Sequence, residues 1–293
     1  TAAIPTADGK HYILNGQKMW ITNGGFADIF IVFAKIENDE NLSAFIVEKT
    51  FGGITLGQEE KKLGIKGSST VQVFFNDCKV PAENLLAKRQ DGFKIALNIL
   101  NSGRIKLAAG SIGGSKTALS RGINYSIERK QFDKSISEFG AMKYKIGEMA
   151  RLIYAAESAI YRVGKNIDDK EQEFLAAGTP KNEVKLKALR EYAIECAILK
   201  VYGSEVLAYA VDETLQIFGG MGYSVETGAE MGYRDARITR IYEGTNEINR
   251  LLSFGELMKR AFGKEKEIDL VKAGKGIPMD LLKKSIPFAG KPT

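Results

Sequence analysis

Cysteine, histidine and tryptophan are scarce in this chain: it has Cys78 and Cys196, a single His11 and a single Trp20. The two cysteines stand far apart and in no C-x-x-C pair, which argues against a disulfide framework and fits a reducing compartment; both read as core thiols. One histidine excludes multi-histidine metal sites and leaves a Ser-His-Asp hydrolase only His11 for its base. No uninterrupted apolar run reaches the roughly 20 residues that a membrane-spanning helix needs, and no signal-peptide pattern opens the chain. No strand-like run leads into G-x-G-x-x-G and no G-x-x-x-x-G-K-[ST] occurs, so neither a Rossmann dinucleotide site nor a P-loop is expected. Repeats of solenoid period are missing as well.

What is present is ordinary for a globular protein: 293 residues, 44% hydrophobic and 27% charged. Such a length buries roughly three quarters of its unfolded surface and suggests one or two domains. The formal charge is +6, yet lysine and glutamate are interspersed, and no basic run interleaves with aromatics as a strand-tracking groove requires, so nucleic acid is not expected as a partner. A mildly basic surface suits an anionic ligand or an acidic partner protein.

Along the chain the hydrophobic period changes once. Up to about residue 86, short β-branched and aromatic runs (11–14, 17–21, 29–34, 42–47 and 71–75) alternate with turn residues, and Asn15-Gly16 reads as a hairpin turn between the first two. An antiparallel β domain is the expectation. From Asp91 the apolar spacing becomes helical: Met142, Ile146, Met149, Ile153, Ala156, Ile160 and Val163 form one face of a long amphipathic helix. A second helix runs through Val184, Leu189, Tyr192, Cys196 and Leu199, with Pro180 at its entrance and Thr179 as its cap. Three or four such helices make a bundle. The lysine-rich stretch at the end reads as a linker or a solvated amphipathic tail, and an opening at Thr1-Ala2-Ala3 without Met reads as though cut from something longer.

Four segments carry chemistry: Lys18-Met19-Trp20-Ile21-Thr22-Asn23-Gly24, Glu128-Arg129-Lys130-Gln131-Phe132, Gln216-Ile217-Phe218-Gly219-Gly220-Met221-Gly222-Tyr223 and Ile241-Tyr242-Glu243-Gly244-Thr245-Asn246-Glu247-Ile248. The last sets one carboxylate directly before a glycine and a helix start, where Thr245 can cap and the free N–H groups suit an anion. In this order and spacing, the four resemble the acyl-CoA dehydrogenases, FAD-dependent enzymes that desaturate fatty acyl-CoA thioesters to trans-2-enoyl-CoA and pass electrons to an electron-transferring flavoprotein. The resemblance implies an α+β fold: a barrel-like antiparallel β domain over residues 1–88, an antiparallel four-helix-bundle domain over 89–263, and a basic linker or tail over 264–293. The family's N-terminal helical domain and its T-E-P-x-x-G-S-D loop are not in this sequence. The extension past Phe262 looks like the linker of the very-long-chain branch.

Residue by residue, the resemblance makes Glu243 the catalytic base that removes the α proton, with Arg104, Asn101, Tyr242 and Gly244 at the thioester. In some relatives the base stands at the position of Gly103, which cannot serve here. Trp20, Ile21 and Thr22 would flank the isoalloxazine. Arg129, with Gln131 and Phe132, would meet the flavin pyrophosphate, and Gln216, Gly219 and Gly220 would approach it from an adjoining subunit, with Thr245 and Glu247 also toward the cofactor. A homodimer or homotetramer in the bacterial cytoplasm or mitochondrial matrix follows, with peripheral membrane association as a further expectation. Plainer readings stand beside these. Glu243 would be solvated and paired with Arg240 or Arg250, Arg104 an interhelical ion pair, Phe218-Gly219-Gly220 a helix C-cap and Trp20 a core residue. The whole could be a non-catalytic assembly scaffold that keeps the fold, or an oxidase-type or nucleic-acid-associated member of the superfamily.

Overall fold

The computed structural model describes residues 1–262; the linker or tail expected over 264–293 lies outside the described residues. The first part is a seven-stranded sheet built from β1 (Ala2–Pro5), β2 (His11–Thr22), β3 (Ile29–Ile36), β4 (Ser43–Glu48), β5 (Ile54–Leu56), β6 (Thr70–Pro81) and β7 (Leu85–Leu86), in the order β5-β6-β2-β1-β3-β4-β7. Its neighbours pair antiparallel, except that β1 and β3 run parallel. Alternation in β3 turns Phe30, Val32, Ala34 and Ile36 inward, where they join Leu14, Phe45, Val47, Val73, Phe75 and Val80 in one core. Each large apolar side chain buried there contributes about 1.5–3 kcal/mol against the chain entropy of ordering.

Asn15-Gly16 is not a hairpin turn. β2 runs straight through it, paired with β6 on both sides of a register shift between Leu14 and Gly16. Turn propensity loses here because Asn15 is used differently: its side chain donates to Asp77 Oδ1 at 2.9 Å and accepts from the Asp77 N–H at 2.8 Å. Gly16 is required by close approach, since a Cβ there would lie 2.7 Å from the Thr1 Cα. The chain reverses earlier, at Thr6–Lys10, where Asp8 and Thr6 satisfy the backbone.

The second part holds α1 (Gly92–Glu128), a hairpin of β8 (Lys130–Gln131) and β9 (Lys134–Ser135), then α2 (Gly140–Ala176), α3 (Lys181–Glu191), α4 (Ala193–Phe218), α5 (Gly220–Tyr223), α6 (Ala229–Ala236) and α7 (Asn246–Phe262). The face expected from 142 to 163 is the buried face of α2, with Met149, Ile153, Ala156 and Val163 inside. The helix expected through 184–199 is broken at Tyr192 into α3 and α4, and Pro180, not Thr179, stands at its N-cap. α1 and α4 run in the same direction, as the contacts Ala108 to Gly203 and Gly122 to Thr214 require, so this pair departs from the antiparallel arrangement expected; α2 runs against both, with Val163 clustered near Ala108 and Leu199 and Met149 near Ala118 and Leu207.

α1 is buried along Arg104, Ala108, Ser111, Ile112, Ser115, Ala118, Gly122 and Ser126, small residues apart from the arginine and Ile112. Spacing of three and four residues keeps them on one side of the helix. Their small size lets α4 approach closely, and the same geometry turns Arg104 inward. The β part is tied to the bundle by Gly92 N–H on Leu42 O (2.8 Å), Ile65 N–H on Asp235 Oδ1 (2.5 Å) and Arg234 on Leu63 O (2.8 Å).

Candidate active site

Near the start of α1, Arg104 and Asn101 are buried, and the guanidinium donates to Asn101 Oδ1 at 2.8 Å. The guanidinium Nε is buried without a hydrogen-bond partner. One residue away, Gly103 faces the loop before α7. A Cβ at that position would overlap Glu243 Oε2 and come within 2.8 Å of Glu243 Cδ.

That loop carries Glu243 in an unusual backbone. Glu243 has φ 57° and Gly244 φ 80°, two successive left-handed residues. For a non-glycine this conformation costs about 1–2 kcal/mol and persists only where the surroundings over-determine it. Asn249, fully buried on α7, sets its Nδ2 within hydrogen-bond distance of three successive carbonyls, those of Glu243 (3.3 Å), Gly244 (2.8 Å) and Thr245 (3.0 Å). Lys200, fully buried on α4, donates to Gly244 O at 2.7 Å and to Asn246 Oδ1 at 2.9 Å. Thr245 Oγ accepts the Ile248 N–H at 3.3 Å, the cap expected of it.

The result is a carboxylate with one oxygen, Oε2, out of solvent and without a hydrogen-bond partner. Neither ion pair of the plainer reading is formed among the described residues, and Glu243 as a whole is half-buried. Arg250 pairs with Glu205, and Arg240 Nε is itself buried without a hydrogen-bond partner. Arg104 bonds to its own helix through Asn101 rather than closing an interhelical ion pair.

Burial shapes the cations around it. It pushes the Arg104 guanidinium below its ordinary range, with the charge of Glu243 opposing. Burial, and then the nearby Arg104, draw Lys200 down to about 8, while Glu243 and Glu247 pull it back up. Burial also raises Tyr242, with Glu243 adding to the shift, and pushes the Cys196 thiol to about 12. Both cysteines are free and fully buried, as read from their spacing. A carboxylate held with one oxygen out of water and free of hydrogen bonds is placed to accept a proton from a group that packs against it.

The other sequence-derived residues fall into two further places. Arg129, Gln131 and Phe132 lie in or beside the β8–β9 hairpin, all exposed, with Phe132 85% exposed and edge-on to Phe139. Gln216, Gly219 and Gly220 form the exposed end of α4. These two segments share one end of the bundle, because Tyr125 stacks on Phe218 at 4.1 Å and Arg121 lies over the same ring. Gly219, at φ 58°, does close α4, so the C-cap reading of this turn holds. At 1.5 Å per residue, Arg129 stands about 37 Å along α1 from Arg104.

Trp20, Ile21 and Thr22 end β2 at a register shift between Lys18 and Ile21. Trp20 is not a core residue: it is 62% exposed and has φ 59°. A surface cavity of about 790 Å³ lies nearby in the β part, lined by Phe26, Glu59, Lys62, Lys66 and Ser69, and does not include Glu243. No group of metal-ligating side chains occurs among the described residues, nor is any described helix long and apolar enough to cross a membrane.

Lys200, Asn246 and Asn249 escaped the sequence reading. The signal was available: Lys200 is the one charge within Cys196-Ala197-Ile198-Leu199-Lys200-Val201-Tyr202-Gly203, in step with the apolar stripe of α4. A lysine there is either expelled or held by buried acceptors.

Two family models match in tandem, the acyl-CoA dehydrogenase middle domain over residues 1–78 and the acyl-CoA dehydrogenase C-terminal domain over 90–256. The chain belongs to the acyl-CoA dehydrogenase family. It is 48% identical over 261 residues to a probable acyl-CoA dehydrogenase of Bacillus subtilis, covering 89% of this chain and 44% of that protein. To the very long-chain specific acyl-CoA dehydrogenase of Rattus norvegicus it is 43% identical, over 86% of this chain and 37% of that protein. The crystal structure of an acyl-CoA dehydrogenase complexed with FAD from Bacillus anthracis superposes with a TM-score of 0.90 at 44% identity, covering 97% of this chain and 48% of that one. The chain therefore spans less than half the length of these family members.

Proposed function

We propose that this chain carries the base and part of the flavin site of an FAD-dependent acyl-CoA dehydrogenase, in which Glu243 removes the α proton of a fatty acyl-CoA thioester. The observation that carries the reading is the Glu243 carboxylate itself. It is held on a left-handed turn against Gly103, with Oε2 desolvated and unpartnered and the Arg104 guanidinium close by.

The residues present fit FAD. Trp20 offers an exposed ring from a bulged strand end, and the exposed Arg129 can meet a pyrophosphate in a bidentate fashion. Gln216, Gly219 and Gly220 give a turn without side-chain obstruction at the same end of the bundle. When bound, FAD supplies the acceptor for the β hydride. Separation along α1 keeps the Arg129 end far from Glu243 within one chain, which favours a homo-oligomer in which each active site draws on two subunits. An electron-transferring flavoprotein is the proposed electron acceptor, with bacterial cytoplasm or mitochondrial matrix as the setting.

In the chemistry, Glu243 takes the α proton onto its carboxylate as the α carbon loses its C–H bond. Arg104 and Lys200 hold positive charge behind that carboxylate. Asn249 fixes the backbone of the turn that carries it. The test is Glu243→Gln in the flavin-loaded protein: flavin content is retained while desaturation falls by roughly 10²- to 10⁴-fold, the contribution of a positioned base. Unchanged turnover would refute the assignment.

A further inference from the structure

We infer that Lys200 is a positioning residue for the Glu243 carboxylate: from the adjacent helix α4, its buried ammonium grips the Gly244 carbonyl and the Asn246 side chain, and so fixes the turn on which Glu243 is carried. The inference rests on Glu243 being the base, and goes beyond it by assigning a residue that does not touch the substrate.

Three observations converge. First, Lys200 is fully buried, and both acceptors of its ammonium belong to the segment 244–246 rather than to its own helix. Second, Glu243 and Gly244 are both left-handed. Such a turn needs restraint from outside, and the described restraints are Lys200 from α4 and Asn249 from α7. Third, a buried ammonium is expensive to desolvate, and an apolar side chain of the same length would fill the space in a stripe that already holds Cys196 and Leu199 at less cost. Packing alone gives no reason for a lysine there. Holding a carbonyl at a fixed place does.

The clamp extends through Asn246. Its Oδ1 accepts from Lys200, and its Nδ2 donates to Ser204 Oγ at 3.0 Å, so the first residue of α7 is bonded to two successive turns of α4. Asn246 and Ser204 are both buried. The loop is thereby referred to α4, while Gly103 on α1 forms the wall against which the carboxylate rests. A shift of the loop by a fraction of a bond length moves Oε2 along that wall, and base catalysis falls steeply with such displacements.

The experiment uses the flavin-loaded protein with a 3-thiaacyl-CoA as probe. Its β atom is sulfur and gives no hydride, so deuterium exchange at its α carbon reads the base alone. Parent, Lys200→Met and Lys200→Gln are compared for exchange rate, probe affinity and flavin content. Expected is a roughly 10- to 100-fold slower exchange in both variants, the range for a lost charge-assisted hydrogen bond, with probe affinity and flavin content unchanged. Exchange at the parent rate in either variant overturns the proposal alone. So does a joint fall of exchange, affinity and flavin content, which would mark Lys200 as a general support of the fold, and so does failure of both variants to fold. Absence of exchange in the parent would instead overturn the assignment of Glu243 as base.

Discussion

The carboxylate of Glu243 occupies the space that any side chain at position 103 would need: a Cβ on Gly103 would overlap Oε2 and lie 2.8 Å from Cδ and 3.2 Å from Oε1. Helix propensity alone would favour Gly103→Ala, since alanine gains about 1 kcal/mol over glycine inside a helix. The obstacle is the far end of a flexible side chain, which can swing away. The fold therefore survives Gly103→Ala, and the geometry of the base does not. We predict a thermal midpoint equal to or above that of the parent, with α-proton exchange slowed by about 10²-fold, as a displacement on the order of 1 Å produces. A variant as active as the parent would show that Glu243 does not work from this position.

Lys200 makes a second prediction, read from stability alone. Burial draws its ammonium to about 8 from an ordinary value of 10.5. Below about pH 8 folded and unfolded chains both hold the proton, and the contribution of this group to the pH dependence is nil. Between about 8 and 10.5 the unfolded chain binds a proton that the folded chain has released, so stability from this side chain rises with pH across that window. Lys200→Met removes the rise. Denaturant titrations of parent and variant from pH 7 to 10.5 should show the variant's relative stability falling as pH increases, and a constant difference would contradict the shifted ammonium.

How far the sequence foretold this arrangement depends on what each residue is used for. Periodicity located α2 and the strand-to-helix transition because burial of one face is a local, repeating requirement. It missed the break at Tyr192, where α3 and α4 meet, since the apolar residues on either side keep nearly the same spacing. It misread Asn15-Gly16, where a hydrogen-bonded partner far along the chain, Asp77, turned a turn signal into a bulge. Motif resemblance led to Glu243, Arg104 and Asn101, and the fold brings all three together. Lys200 and Asn249 carry no motif of their own, because their role depends on carbonyls that only a folded loop presents.

Trp20 distinguishes a binding residue from a core residue by cost. A buried tryptophan truncated to alanine loses about 3–5 kcal/mol, whereas an exposed side chain away from special contacts costs within about 0.5 kcal/mol. With 62% of its surface exposed at a bulged strand end, Trp20 belongs to the second class. Trp20→Ala should leave the unfolding midpoint of the flavin-free protein unchanged and lower its affinity for FAD, measured by fluorescence titration. A large loss of stability with FAD affinity intact would return Trp20 to the core.

Arg129 allows a sharper test, because the same charge can be presented with a different geometry. It is exposed beside a hairpin whose turn, Phe132-Asp133, has φ 53° and 62°. If the guanidinium meets a pyrophosphate through two parallel N–H bonds, Arg129→Lys keeps the charge and loses one of them, at a cost of about 1.5–3 kcal/mol. That corresponds to roughly a 10- to 100-fold weaker FAD affinity at unchanged thermal stability of the flavin-free protein. Riboflavin, which lacks the pyrophosphate, should bind parent and variant alike. Equal losses for both ligands would place Arg129 against the isoalloxazine, and no loss for either would place it away from the cofactor; both outcomes would move the pyrophosphate contact away from this hairpin.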